Sequence, residues 1–155
     1  MSQTTTQENV KVFQKKLLEY KTIIDADIES YSKHGAKTTL QQFGTYSRVA
    51  TDAYLEILGR GGKRIRGSLV MLGYEMSGGT DMKMVLEAAR AIEMMQAYIL
   101  IIDDIQDRSI MRRGGPAAHI ILEEYHKQHH LAGEAAHFGI EIALNSALGL
   151  PLIQI

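Results

Sequence analysis

Apolar residues recur along this chain at helical spacings, with polar residues filling the intervals. After a polar, disordered-looking stretch from Ser2 to Gln7, a helix is expected from near Val10, with Val10, Phe13, Leu17, Ile24 and Ile28 on its apolar side. Tyr31 to Thr39, with Ser32, Gly35 and two threonines, reads as a loop. A second helix, from about Ser47 to Leu58, has Ala50, Tyr54 and Ile57 as its buried stripe, and Gly59 to Gly62 breaks it. A third element, Lys63 to Met76, is apolar from Leu69 to Leu72 and stops at Ser77-Gly78-Gly79. Asp81 caps a long helix expected to run to about Met111. Its first half has Met84, Ala88, Ala91, Ile92 and Met95 as a core stripe, the methionines serving as packing. Pro116 suits the first turn of another helix, Ala117 to Gln128. A last helix starts near Ala132, contains Phe138, Ile142 and Leu144, and is stopped by Gly149-Leu150-Pro151. Neither strand-like alternation nor an internal repeat stands out. The expected fold class is all-α, in one globular domain over residues 1–155.

Composition narrows the chemistry. With 155 residues, 45% of them hydrophobic, and a net charge of −1, a single soluble domain is expected. Nothing in that charge balance argues for nucleic acid or an acidic membrane surface as partner. The chain has no cysteine, which excludes disulfides and thiolate metal sites and fits a reducing cytoplasm. Met1 to Asn9 lacks the apolar core of a signal peptide, and no apolar run approaches the ~20 residues needed to span a bilayer.

Candidate chemistry gathers between Gln96 and His119. An apolar run, Tyr98 to Ile102, leads into Asp103, Asp104 and Asp107, followed by Arg112-Arg113 and Gly114-Gly115-Pro116. On a helix, Gln96, Leu100, Asp103 and Asp107 fall on one stripe at i, i+4, i+7 and i+11. Gly-Gly-Pro would end that helix, so the acids lie towards its C-terminal part, where the macrodipole disfavours negative charge. Adjacent aspartates are also poor helix formers. The acids can be a solvated helix face, or an ion-pair patch with Arg108, Arg112 and Arg113. The direct junction with five apolar residues favours instead a buried helix whose end opens into a cavity. Carboxylates at i, i+4 suit Mg²⁺, which takes one or two of them and completes its shell with water and phosphate oxygens. Arginines a turn or so beyond can meet the same phosphates through forked hydrogen bonds.

A second motif, Gly61-Gly62-Lys63-Arg64-Ile65-Arg66-Gly67, sits between two helices. Glycines let the backbone approach a ligand, and a helix beginning just after them offers free N–H groups to an anion. Lys63 and Arg66, three residues apart, can face one phosphate. A Walker A loop is excluded, because Arg64 rather than Ser or Thr follows Lys63 and no strand precedes it. The plainer alternative is a solvated basic helix start. His126, His129 and His130 have the spacing of a zinc site, but no fourth ligand is near and the tract is otherwise polar, which favours a solvated helix end. His119 and His137 read as structural or surface residues.

The two motifs together, Gly-Gly-Lys-Arg-Ile-Arg and, forty residues on from Lys63, Asp-Asp-Ile-Gln-Asp with Arg-Arg-Gly-Gly-Pro, resemble those of the trans-isoprenyl diphosphate synthases, or polyprenyl synthetases. The resemblance extends from about Tyr54 to the end of the last helix. A terpene cyclase would share the aspartates but lack the Gly-Gly-Lys-Arg and Arg-Arg-Gly signatures. The resemblance implies an antiparallel helix bundle of the isoprenoid synthase type and a homodimeric, Mg²⁺-dependent prenyltransferase joining an allylic diphosphate to isopentenyl diphosphate. It also implies roles: Asp103 and Asp107 as metal ligands with Asp104 close by, and Arg112 on the allylic diphosphate. Lys63, Arg66, Gln96 and Arg113 would bind isopentenyl diphosphate; many members have His where Gln96 stands. Tyr98, five residues before Asp103, would floor the product cavity, and aliphatic Ile99 beside it tilts the expected product towards geranylgeranyl over farnesyl diphosphate.

The departures from the family pattern also carry information. Family members are longer and carry a second aspartate-rich motif with a further lysine; neither occurs among these 155 residues. Gly67 stands where many members have Pro. The chain ends in apolar Leu152-Ile153-Gln154-Ile155, which suggests a partner surface or a continuation. The expectation is therefore the N-terminal half of a prenyltransferase, inactive or nearly so alone. The alternative is a non-catalytic diphosphate-binding or partner module.

Overall fold

The computed structural model describes the backbone of residues 3–153 and the side chains of residues 7–35, 37, 41, 44, 45 and 47–148. Five helices account for nearly all of it: α1 (Gln3–Gly59), α2 (Ile65–Met76), α3 (Met82–Gln106), α4 (Ala118–Gln128) and α5 (Ala135–Ile153). Two short antiparallel strands, β1 (Met111–Arg112) and β2 (Gly115–Pro116), lie between α3 and α4. The fold is all-α. The helix α3 packs against α1, α2 and α5, while α4 and α5 pack on each other as a helical hairpin.

The long first helix is broken once, at Gly44, where φ is 79° and ψ −173°, a conformation open to glycine because it has no Cβ. The loop expected over Tyr31 to Thr39 is not there: the backbone stays helical through it. Ser, Thr and Gly each cost a helix only about 0.5–1 kcal/mol, and this segment is held from outside. Arg90 of α3 pairs with Asp27 at 2.9–3.0 Å and lies over the Tyr31 ring, 4.6 Å from its centre. Ser2, with which the disordered-looking stretch begins, lies outside the described residues, but α1 is already formed from Gln3, ahead of the expected start near Val10.

Two other ends differ from expectation for local reasons. The helix α3 stops at Gln106, five residues before Met111, because Arg108 turns to φ 54° and the chain reverses into the strands. Pro116 therefore lies in β2, and Ala117 precedes α4 as its N-cap. The last helix begins at Ala135 and continues through Gly149 and Pro151 to Ile153. A proline in a helix removes one hydrogen bond to the preceding turn, a cost that is smaller in a last turn than in a helix interior. Asp81 does cap α3, its Oδ1 accepting from Met84 N at 3.0 Å.

The core forms where α1, α2, α3, α4 and α5 converge, around Ile24, Ile28, Tyr54, Ile57, Leu58, Met71, Ile101 and Leu122. Tyr54 donates to the Met94 carbonyl at 2.8 Å, and its burial raises the phenol pKa well above the usual tyrosine value. Val10 and Phe13, expected on the apolar side of α1, are exposed. The inner stripe of α3 is one residue out of step with the expected one: Val85, Ala89, Glu93, Met94, Ala97, Ile101 and Asp104 are buried, whereas Met84, Ala88 and Met95 are exposed. Two acids thus occupy inner positions, which is why the apolar pattern alone pointed to the neighbouring stripe. Truncating Ile24 to Ala should lower the unfolding free energy in urea by about 2–5 kcal/mol, whereas Phe13→Ala should stay within about 0.5 kcal/mol.

Candidate functional site

The last turns of α3 split its three aspartates between two environments. Asp103 and Asp107 are exposed, and Asp104 is fully buried. Residues four apart on a helix lie one above the other, so Asp103 and Asp107 share the uncovered side with half-buried Gln96 and Leu100. The expected stripe holds. Asp107 is also the C-cap residue, its N–H donating to the Asp103 carbonyl at 2.8 Å. Asp104 faces inward onto Arg112, whose Nε lies 2.8 and 3.0 Å from the two carboxylate oxygens and whose Nη2 donates to Oδ1. This hydrogen bond raises the Arg112 pKa against the opposing effect of burial, with the charges of Asp104, Asp103 and Asp107 adding to it. The ion-pair reading thus holds for one carboxylate of the three.

Arg112 and Arg113 are not on the helix but on the hairpin after it. Arg112 pairs with Gly115 across the strands, and the two residues between them, Arg113 (φ 48°) and Gly114 (φ 79°), both have positive φ. That is the pattern of a type I′ turn, which suits the strand twist. Arg113 adopts it at a cost of about 1–3 kcal/mol for a non-glycine residue. What holds it there is a latch between the hairpin and the loop after α1. Arg113 Nη1 donates to the Gly61 carbonyl, and Arg60 Nη1 donates to the carbonyls of Arg112 (2.9 Å) and Pro116 (2.6 Å).

Each latch arginine lies on a glycine of the opposite segment. A Cβ on Gly62 would stand 3.0 Å from Arg113 Cζ, and one on Gly115 would stand 2.6 Å from Arg60 Cζ. The glycines of both motifs make room for arginines of this chain as well as for any ligand. Burial, and the like charge of Arg64, lower the Arg113 pKa, although a guanidinium stays protonated.

In the basic loop the three cations separate. Lys63 and Arg66 are exposed, and Arg64 is buried at 4% exposure with φ 49°. Arg64 is committed to Asp25, Glu93 and the Leu58 carbonyl, so it is withdrawn from the cluster of free cations expected there. Among the described residues Lys63, Arg66, Asp103 and Asp107 make no ion pair. Two cations and two carboxylates are left uncommitted among the described residues.

Residues 47–150 match the family described as Polyprenyl synthetase. The chain belongs to that family. It is 36% identical over 110 residues, 70% of this chain and 33% of the relative, to the geranylgeranyl diphosphate synthase of Cyanophora paradoxa. It is 45% identical over 60 residues to that of Methanosarcina mazei, covering 39% of this chain and 18% of the relative. The crystal structure of the Corynebacterium glutamicum geranylgeranyl pyrophosphate synthase, complexed with isoprenyl diphosphate and magnesium, superimposes with a TM-score of 0.77 at 26% identity. It covers 87% of this chain and 39% of that one. The chain thus spans about a fifth to two fifths of the length of these relatives.

The remaining candidate residues of this polyprenyl synthetase divide between core and surface. Tyr98 is half-buried against the core and Ile99 points outward at 38% exposure. His119 and His126 are buried. Burial lowers the His119 pKa against the charges of Asp104 and Glu123, and its Nδ1 has no hydrogen-bond partner among the described residues. His126 Nε2 lies 3.2 Å from the Ala132 carbonyl, so it belongs to the packing between α4 and α5 rather than to a solvated end. His129 is exposed and stacks on Tyr125, whose ring centre is 3.9 Å away. His130 and His137 are exposed, and His137 lies 3.1 Å from Glu141. Among the described residues no group of three His, Cys, Asp or Glu gathers as a metal site. The anchoring roles of Arg60, Arg64 and Glu93 escaped the motif reading, since the partners that define them, Asp25, Gly67, Arg112, Pro116 and each other, lie 26 to 56 residues away in sequence. Gly62→Ala, strained at φ 129° and displacing Arg113, should destabilise the fold by about 1–3 kcal/mol. Gly114→Asn, in open space at a turn position that suits Asn, should cost under about 1 kcal/mol by the same urea titration.

Proposed function

We propose that this chain carries the diphosphate-binding part of a prenyltransferase site for joining an allylic diphosphate to isopentenyl diphosphate, giving a short product such as geranylgeranyl or farnesyl diphosphate. The observation that carries the reading is the split of the aspartates, with Asp103 and Asp107 open and unpaired while Asp104 anchors Arg112 from inside. Two carboxylates one turn apart fit the few protein ligands that Mg²⁺ takes beside phosphate oxygens and water. Bound there, Mg²⁺ would neutralise the charge that builds on a departing diphosphate.

The residues divide the remaining work. Asp103 and Asp107 would hold the metal. Arg112, with Nε and Nη2 on Asp104, keeps Nη1 without a partner among the described residues and would present it to the allylic diphosphate. Lys63, Arg66, Gln96 and Arg113 would orient isopentenyl diphosphate. In the reaction the allylic C–O bond breaks, the electron pair leaves with diphosphate, and the isopentenyl double bond forms the new C–C bond. A proton is then lost, with the released diphosphate as its acceptor. Donors fixed in place before charge develops contribute most to such a step, and the arginine latch supplies that rigidity. Half-buried Tyr98 would limit chain growth beside α3, with Ile99 as its neighbour. A second copy of the chain and a cytoplasmic setting complete the reading.

Calorimetric titration with farnesyl diphosphate tests it. The native chain should bind in the presence of Mg²⁺ and lose that binding in EDTA, and Asp103→Ala should abolish the metal-dependent part. Unchanged binding by that variant would overturn the assignment. Binding without turnover when isopentenyl diphosphate is added would assign the chain a binding role rather than a catalytic one.

A further inference from the structure

Beneath the basic loop lies a buried charge cluster that the reaction scheme does not use. Arg64 adopts φ 49° and ψ 30° at the start of α2 without a side-chain cap. Its Nε donates to Asp25 at 2.8 Å, its Nη2 to the Leu58 carbonyl at 2.8 Å, and its Nη1 to Glu93 Oε2 at 3.3 Å. The other oxygen of Glu93, Oε1, accepts from the Gly67 N–H at 2.9 Å. Both Arg64 and Glu93 are 4% exposed. Burial opposes the charge on Asp25, but hydrogen bonds from Lys21 and Arg64 outweigh it and hold its pKa below the usual carboxylate value. Gly67 is shaped to this contact, since an added Cβ would lie 3.1 Å from Glu93 Cγ, 3.0 Å from Ile24 Cδ1 and 3.3 Å from the Ala89 carbonyl. A proline at 67 would also remove the N–H that Glu93 accepts.

The placement of this cluster matters more than its strength. Glu93 holds the chain at residues 64 and 67, and Lys63 and Arg66 each stand one residue before a held point. Gln96 follows Glu93 by one turn on α3. Arg113 feels both Arg64 and Glu93, and its guanidinium lies against Gly62. A buried ion pair is on general grounds a weak source of stability, often replaceable by apolar groups at no loss. A non-glycine residue kept at positive φ adds a cost of its own. A cluster that adds little stability, and fixes a strained loop carrying two uncommitted cations, fits a task in alignment.

We propose that Glu93 is a positioning residue: through Arg64 and the Gly67 N–H it sets Lys63 and Arg66 in register to receive the diphosphate of the non-allylic substrate. The inference rests on the reading of Lys63 and Arg66 given above. It separates two functions on α3, with Glu93 governing the isopentenyl side through α2 and Asp103 and Asp107 governing the allylic side directly.

The test uses calorimetric titration of the full chain with isopentenyl diphosphate and, separately, with farnesyl diphosphate and Mg²⁺. Glu93→Gln keeps an acceptor for Gly67 and removes the charge opposite Arg64. It should weaken isopentenyl diphosphate binding about tenfold or more and leave metal-dependent farnesyl diphosphate binding within about twofold. Adding Arg64→Met to Glu93→Gln removes the buried cation that has lost one of its two carboxylate partners and leaves Asp25 to Lys21; thermal stability should recover while isopentenyl diphosphate affinity stays low. Unchanged isopentenyl diphosphate affinity in Glu93→Gln, or affinity that recovers together with stability in the double variant, would overturn the inference. Lys63→Ala is the control on the underlying reading. If it weakens isopentenyl diphosphate binding and Glu93→Gln does not, the alignment role alone fails. If Lys63→Ala has no effect, or the native chain shows no saturable binding, the site reading falls and takes the inference with it.

Discussion

The site depends on one buried carboxylate. Asp104 has no exposure and receives the Arg112 guanidinium on both its oxygens, which fixes the hairpin to the end of α3. An unpaired carboxylate at that depth would carry a desolvation penalty of several kcal/mol, so the arginine must stay and the hairpin with it. Arg113 is thereby delivered to the turn, where it reaches Gly61, and Arg60 closes the ring from the other side. Arg112, which feels the charges of Asp103 and Asp107, is engaged with their inward neighbour, and the two outward aspartates make no ion pair among the described residues.

The same logic operates one layer back. Glu93 is a charged residue on the inner stripe of α3 and Arg64 a buried cation just before α2, and they are satisfied by each other, by Asp25 and by backbone groups. Three of the four non-glycine residues with positive φ among those described are arginines of this region, Arg64, Arg108 and Arg113. Backbone strain collected in this way marks places where geometry matters more than local preference. The charged network holds the loop before α2, and the latch arginines tie that loop to the hairpin after α3.

Much of this was legible in the residues and some was not. The helix content, the Asp81 cap and the outward stripe of Gln96, Leu100, Asp103 and Asp107 follow from periodicity and capping chemistry, and they stand. The inner stripe of α3 was displaced by one residue because Glu93 and Asp104 occupy it, and a charge on an inner face is intelligible only once its distant partner is known. The composition of Tyr31 to Thr39 argues for a loop, but the segment continues a helix that Arg90 grips at Asp27 and Tyr31, and the small helix penalties of its residues do not break it. The motif strings did not show which of several adjacent charges would be spent inside. Asp104 and Arg64 are, whereas Asp103, Asp107, Lys63 and Arg66 are not, and local spacing alone does not encode that division.

The central claim is that division of labour among the three aspartates. Side-chain carboxyl ¹³C shifts, followed by NMR while Mg²⁺ is added in the presence of inorganic diphosphate, test it most directly. The account predicts that the carboxyl signals of Asp103 and Asp107 move together and saturate, while that of Asp104 stays in place on Arg112. Movement of the Asp104 signal in step with the other two, or no movement of any of the three, would contradict it.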